Sequence, residues 1–174
     1  MVEIKAQLTI QYLASFIFFI GLVVLVYLAY SANIPTFVKE VEKENTYSKA
    51  YQLSEILVNN PGQPRNWNNI NVERLGLSDE NLNKSNFISY NKVKELKKKI
   101  CDDDNDFRFI KDKLAMNRSF SIFIFNITEN GNREPLFECT PLAFPRAAVN
   151  ATVKRIVALN NFGKIELAEI IVQM

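Results

Sequence analysis

Lys5-Ala6-Gln7-Leu8-Thr9-Ile10-Gln11-Tyr12-Leu13 leads straight into an apolar run that ends near Tyr30, and no residue from Ala6 to Val38 carries a charge. The most apolar part, Leu13 to Ala32, predicts a helix of roughly 30 Å at about 1.5 Å per residue, long enough to cross a bilayer. A secretory signal peptide has a shorter apolar core followed by a small-residue cleavage site. Here the short polar piece precedes the apolar run, so a cut within it leaves the helix on the product. Tyr27 and Tyr30 stand near the far end of the run, where amphipathic rings favour a membrane interface.

Lys-Ala-Gln-x-Thr-x-Gln-Tyr-Leu before such a helix resembles an archaeal class III signal peptide, the type IV pilin-like export signal. The resemblance implies cleavage by a prepilin peptidase between Ala6 and Gln7, with Lys5, Ala6 and Gln7 as the processing residues. It implies assembly through the residues that follow, with Thr9 and Tyr12 matching the family pattern. Gln11 departs from it, because the family usually has Glu at this place. That Glu is thought to pair with the amino terminus of a neighbouring subunit, and Gln retains the hydrogen bonds without the charge. The mismatch points to a minor or initiating subunit.

The resemblance extends into the rest of the chain. Leu57-Val58-x-x-Pro61-Gly62-x-Pro64-x-x-Trp67, Arg74-x-Gly76-Leu77 and Arg155-Ile156-Val157-x-Leu159-Asn160 are similar to patterns in the ectodomains of the same family. The implied organisation is a leader over 1–6, a transmembrane and assembly helix over 7–34 and an extracellular ectodomain over 35–174. The implied fold is α+β and pilin-like: a long N-terminal helix packed on a roughly four-stranded antiparallel sheet, with short extra helices. The implied partners are other pilin subunits, the prepilin peptidase and, before assembly, membrane lipid. The basic end of such a signal stays in the cytoplasm, and the ectodomain lies outside.

Composition narrows the chemistry. The 174 residues carry a net charge of +2 and no histidine. A near-neutral balance does not call for a nucleic-acid partner. Without histidine the commonest general base and metal ligand are missing. No phosphate-binding glycine loop, nucleophile–base pair or metal cluster is visible, so no enzyme, cofactor or metal is expected. Glu166 and Glu169 lie three apart in a strand and point to opposite faces. Cys101 and Cys139 are a candidate disulfide in an exported domain, or else two buried thiols. Asn83, Asn117, Asn126 and Asn150 each begin an Asn-x-Ser/Thr sequon and are candidate glycosylation sites.

Beyond the apolar run, Pro35 predicts a kink near 32–34, with a second helical stretch over 36–59. Val41, Tyr47, Ala50, Tyr51, Leu53, Ser54, Leu57 and Val58 recur at helical spacing and predict one buried face. Asn59-Asn60-Pro61-Gly62 stops that helix. The region 60–117 reads as loop and short helices. Trp67 is expected to plug a loop onto the core. A helix over 91–100 puts Val93, Leu96 and Ile100 inward and the lysines Lys92, Lys94, Lys97, Lys98 and Lys99 on the solvated side. Asp102 to Asp106 fails the EF-hand pattern at Phe107 and Lys113 and leaves only a loose oxygen-ligand calcium site. The preferred role is helix capping by Asp104 or Asp106, ahead of a helix over 106–116 that buries Phe107, Ile110 and Leu114. The sheet is expected over 119–173. Phe120, Ile122 and Ile124 alternate with Ser121, Phe123 and Phe125 in a strand buried on both faces. Asn130-Gly131 turns, Leu136 to Thr140 follows, and Val153–Leu159 and Ile165–Val172 form a closing hairpin. The rival to a pilin is a membrane-anchored ectodomain that does not polymerise and binds something outside the cell.

Overall fold

A computed structural model describes residues 2–80, 82, 84–98, 104–141 and 151–174, with backbone only for 2–9 and 104. Helix α1 runs Val2–Asn59, with Pro35 inside it. The expected division into helices before and after Pro35 is therefore not a break in secondary structure. Proline removes a single backbone donor, and the helix-forming residues on both sides carry the helix through. The chain divides into two compact units, Met1–Glu42 and Lys43–Met174. The described residues of the first all belong to α1, and the second holds the end of α1 and the elements that follow.

In the second unit α1 stops where the sequence predicts. Proline and glycine at 61 and 62 cannot extend it, and Gly62 takes a φ of 81°. The last carbonyls are taken up by the chain beyond: Leu77 N donates to Leu57 O at 2.8 Å and Ser78 N to Asn60 O at 3.1 Å. The strand β1, Phe87–Ser89, follows, then α2, Tyr90–Lys97, and α3, Asp104–Lys113. The rest is β2, Ser121–Ile127; β3, Arg133–Cys139; β4, Thr152–Asn161; and β5, Lys164–Gln173.

The sheet has five strands in the order β1-β4-β5-β2-β3. It is mixed, because β1 runs parallel to β4 while the other pairs are antiparallel. This corrects the expectation of about four antiparallel strands. Three residues are too few to show a period of two, so β1 is invisible in the pattern of the sequence. It exists because β4 offers an edge, whose Ala158 N donates to Asn86 O just ahead of β1 at 2.8 Å. The two predicted hairpins are present. Gly131 has φ 77° in the β2–β3 turn, and Phe162 and Gly163 both have positive φ in the β4–β5 turn, the geometry a two-residue hairpin requires. Pro135 lies in β3, an edge strand where a missing donor is tolerated, and the β2–β3 register shifts beside it between Ile124 and Phe125.

One face of the sheet forms the core. Ile122, Ile124, Phe137, Val157, Leu159, Ala168, Ile170 and Val172 are buried on it, against Leu53, Leu57 and Val58 of α1. Phe107, Ile110 and Leu114 are buried, as their spacing predicts. The expectation for α1 is corrected in part: Ala50, Leu53, Ser54, Leu57 and Val58 are buried, whereas Val41, Tyr47 and Tyr51 are exposed. Tyr51 lies under the Arg155 guanidinium, 4.6 Å from its ring centre. The strand β2 is central but not buried on both faces, because Phe123 and Phe125 are only half-covered. Asp106 lies inside α3, so it is not its N-cap.

Candidate functional site

The residues of α1 in the first unit set the strongest constraint on function. From Ile10 a stretch of mean hydropathy 2.5 is long and apolar enough to cross a membrane, and none of that window is buried within the chain. Phe18, Leu25, Val26 and Tyr27 are each more than half exposed, so apolar side chains cover the helix on every side. A helix apolar all round needs an apolar environment all round. Each Leu or Phe moved from water into such surroundings stabilises by about 1.5–3 kcal/mol. The surroundings that meet this requirement are lipid or a bundle of other helices.

Lys5, Ala6, Gln7 and Thr9 are helical in backbone. Gln11 and Tyr12 are exposed, and Gln11 stands four residues from Gln7, which puts the two on one face of α1. The hydroxyl-bearing and amide positions of the predicted processing and assembly segment thus belong to the same helix as the apolar run. Further on, Asn33 Nδ2 donates to Ala29 O at 2.8 Å, which satisfies the amide within the helix.

The remaining predicted sites separate. Asn117 is exposed in the loop after α3. Asn126 lies in β2 between β3 and β5, half-buried, and its Nδ2 donates to Glu166 Oε2 at 3.1 Å. Asn83 and Asn150 lie outside the described residues. So do Asp102 and Cys101, while Cys139 is fully buried at the end of β3. Among the described residues no group of three or more His, Cys, Asp or Glu could hold a metal. Glu166 and Glu169 diverge as their spacing requires. Glu169 is buried on the outer face of the sheet, where Arg133 Nε lies 3.0 Å from its Oε2 and Arg133 Nη2 donates to its Oε1 at 3.3 Å. The first contact is an ion pair without hydrogen-bond alignment, so Oε2 is neutralised although no donor points at it.

Two polar arrangements escape the sequence pattern. Lys92 is 5% exposed, although its neighbours suggest a solvated lysine face. Its ammonium donates to Pro61 O at 2.7 Å and Ser78 O at 2.9 Å. Burial pushes its pKa down, opposed by the charges of Glu80 and Asp79. Near it a cleft of about 190 Å³ is lined by Asn59, Pro61, Arg65, Ser78, Asp79 and Glu80 among others. Asp79, one of the lining residues, accepts from Leu82 N at 3.3 Å and from Asn160 Nδ2 at 2.7 Å, so its carboxylate ties Leu82 to β4. Arg155 is the second arrangement. It stands on the core face of β4, donates from Nε to Ser54 Oγ at 2.8 Å and pairs with Glu55. The Asn59 hydrogen bond, with help from Arg155, holds the Glu55 carboxyl below the usual range. No local signal marks either cation, because both depend on which loop carbonyls or helix side chains the fold brings to them.

Compared with known proteins, the chain matches no family model, no curated protein and no solved structure. The functional reading therefore rests on the residues and their placement. One apolar helix near the N-terminus is compatible with a single-pass membrane protein.

Proposed function

We propose that this chain is a pilin-like, minor subunit of an archaeal type IV pilus or related surface filament. The observation that carries the proposal is the exposed apolar helix with its Lys5-Ala6-Gln7-x-Thr9-x-Gln11-Tyr12 prefix. Prepilin peptidase cuts between Ala6 and Gln7, the amino end faces the cytoplasm and the α+β head lies outside. Lipid covers α1 before assembly, and other pilin subunits cover it afterwards. The head has no catalytic role in this reading. A Cys101–Cys139 bridge belongs to this reading, and the burial of Cys139 at the end of β3 is compatible with it. Of the sequons, Asn117 fits glycan addition best, since Asn126 is engaged within the sheet.

Gln11 supports the minor role. Where a neighbour's amino terminus is buried without a carboxylate, breaking the pair costs about 3–5 kcal/mol, a penalty a repeating subunit would incur at every step. Mass spectrometry of the native N-terminus tests the processing step: a start at Gln7 is expected, and an intact Met1 overturns it. Filaments composed mainly of this chain would rule out the minor role. The second reading, an anchored head that does not polymerise, is favoured if the chain starts at Gln7 or Met1 but never co-purifies with filaments.

A further inference from the structure

The sheet has a second face, turned away from the core, and it is apolar. Ile156, Ile165 and Leu167 are 67%, 52% and 54% exposed on β4 and β5. Phe123 and Phe125 of β2 stack on the same face, with ring centres 6.4 Å apart and planes within 9°. The one carboxylate in the middle, Glu169, is neutralised by Arg133. The face offers a wide centre without net charge, and the registers show how its rim is arranged. Lys154 pairs with Ile171, Ile171 with Phe123, and Phe123 with Glu138. These four form one straight row across β4, β5, β2 and β3: a cation, two apolar side chains, an anion. Lys154 and Glu138 are both exposed, and neither has a partner among the described residues.

We propose that this face docks on the same face of a second copy of the chain. A two-fold axis along the strands, between β5 and β2, exchanges β4 with β3 and β5 with β2 while keeping each row at its own level. Lys154 of one copy then stands over Glu138 of the other, twice, and Ile171 stands over Phe123. In the next row Ile156 meets Pro135 and Glu169 meets Phe125, and in the row after it Leu167 meets Ile127 and Ala158 meets Arg133, so the Arg133–Glu169 pair of each copy is carried into the interface already neutralised. Packed sheets lie about 10 Å apart, a gap that a lysine and a glutamate together span. The relative rotation of about 30° usual for twisted sheets displaces the rim pairs by only about 4 Å at a strand spacing of about 4.8 Å. Two-fold interfaces are self-complementary in this way. A lipid surface would be matched by an excess of cations, whereas the charges of this face, Lys154 and Arg133 with Glu138 and Glu169, balance. The proposal stands on the sheet alone and does not depend on how α1 is covered.

The test uses the full chain. Protein labelled with ordinary nitrogen and protein labelled with nitrogen-15 are mixed in detergent, reconstituted together into vesicles and treated with a carbodiimide. The expected product is a mixed-isotope peptide joining Lys154 to Glu138. Leu167→Asp keeps both reactive groups and changes an exposed residue, so circular dichroism should be unaltered. It is expected to lower the yield of that product at least about tenfold, the effect of about 1.4 kcal/mol lost from association. The double reversal Lys154→Glu with Glu138→Lys is expected to restore a mixed-isotope link between positions 154 and 138, while either reversal alone gives none. Three results overturn the proposal: no mixed-isotope link in the native sequence, a link undiminished in Leu167→Asp, or no link in the double reversal. Mixed-isotope links confined to α1 would place association in the helix and overturn it equally.

Discussion

Gly76 is where a single residue has least freedom. A methyl group there would meet Asn60 O at 2.1 Å and Gly62 N at 2.6 Å, backbone atoms that cannot swing aside. Gly76→Ala is expected to destabilise the head by about 3 kcal/mol or more, in the range of severe packing clashes, as read by urea denaturation. The carbonyl of the same residue anchors Trp67, whose Nε1 donates to Gly76 O at 2.8 Å. The sequence predicts that Trp67 plugs a loop, and it is buried at 4% exposure; its hydrogen bond is not legible there. Lys92 is the opposite case, a residue whose neighbours mislead. Lys92→Ala would leave the Pro61 and Ser78 carbonyls without their donor and is expected to cost about 1–3 kcal/mol. Glu55 gives a pH signature. Its pKa is lowered in the folded chain, so its contribution is present above the ordinary carboxylate range and is lost as pH falls through the lowered value. The stability difference between the native sequence and Glu55→Gln, measured across acid pH, is expected to shrink in that window. Its size is small because the side chain is 45% exposed.

At the scale of the element, α1 has two environments. Before Glu42 its apolar residues are exposed, and from Ala50 they alternate between core and solvent. Leu53→Ala, at 0% exposure, is expected to destabilise by about 2–5 kcal/mol, whereas Tyr47→Ala, at 52%, is expected to change stability by about 0.5 kcal/mol or less; thermal unfolding of both variants checks the contrast. The periodicity of 41–58 marks a helix with an inward face but overstates its width, because an aromatic residue at its margin, Tyr51, covers a cation and not the core. Among the strands, the long alternating runs and their turns are legible: β4 and β5 lie within a few residues of expectation, and Asn130-Gly131 turns as predicted. The strand β1 is not, since three residues carry no period and its pairing is decided by β4.

For the whole molecule, the apolar α1 surface dominates. If α1 crosses the membrane with its head outside, the chain should partition with membranes and withstand alkaline carbonate extraction. In the proposed pilin role, Gln11→Glu is expected to increase the share of the chain recovered in filaments, because it would supply a carboxylate to pair with a neighbouring amino terminus; quantitative proteomics of sheared filaments reads it. No change on Gln11→Glu would separate the minor role from this residue.

Some of this follows from local chemistry. An uncharged run longer than a bilayer makes a helix that must leave water, prolines and glycines end helices where backbone donors or a left-handed turn require it, and alternation marks strands that bury one side. These are properties of consecutive residues, and they need no knowledge of distant ones. Strand order, the parallel β1, the burial of Lys92 by two loop carbonyls and the reach of Arg155 to Glu55 are decided by residues far apart in the chain. The row that sets Lys154 and Glu138 at opposite ends of an apolar sheet face is decided in the same way. Each depends on register and packing, and those are settled only when β4 and β5 pair and the end of α1 closes over the core face.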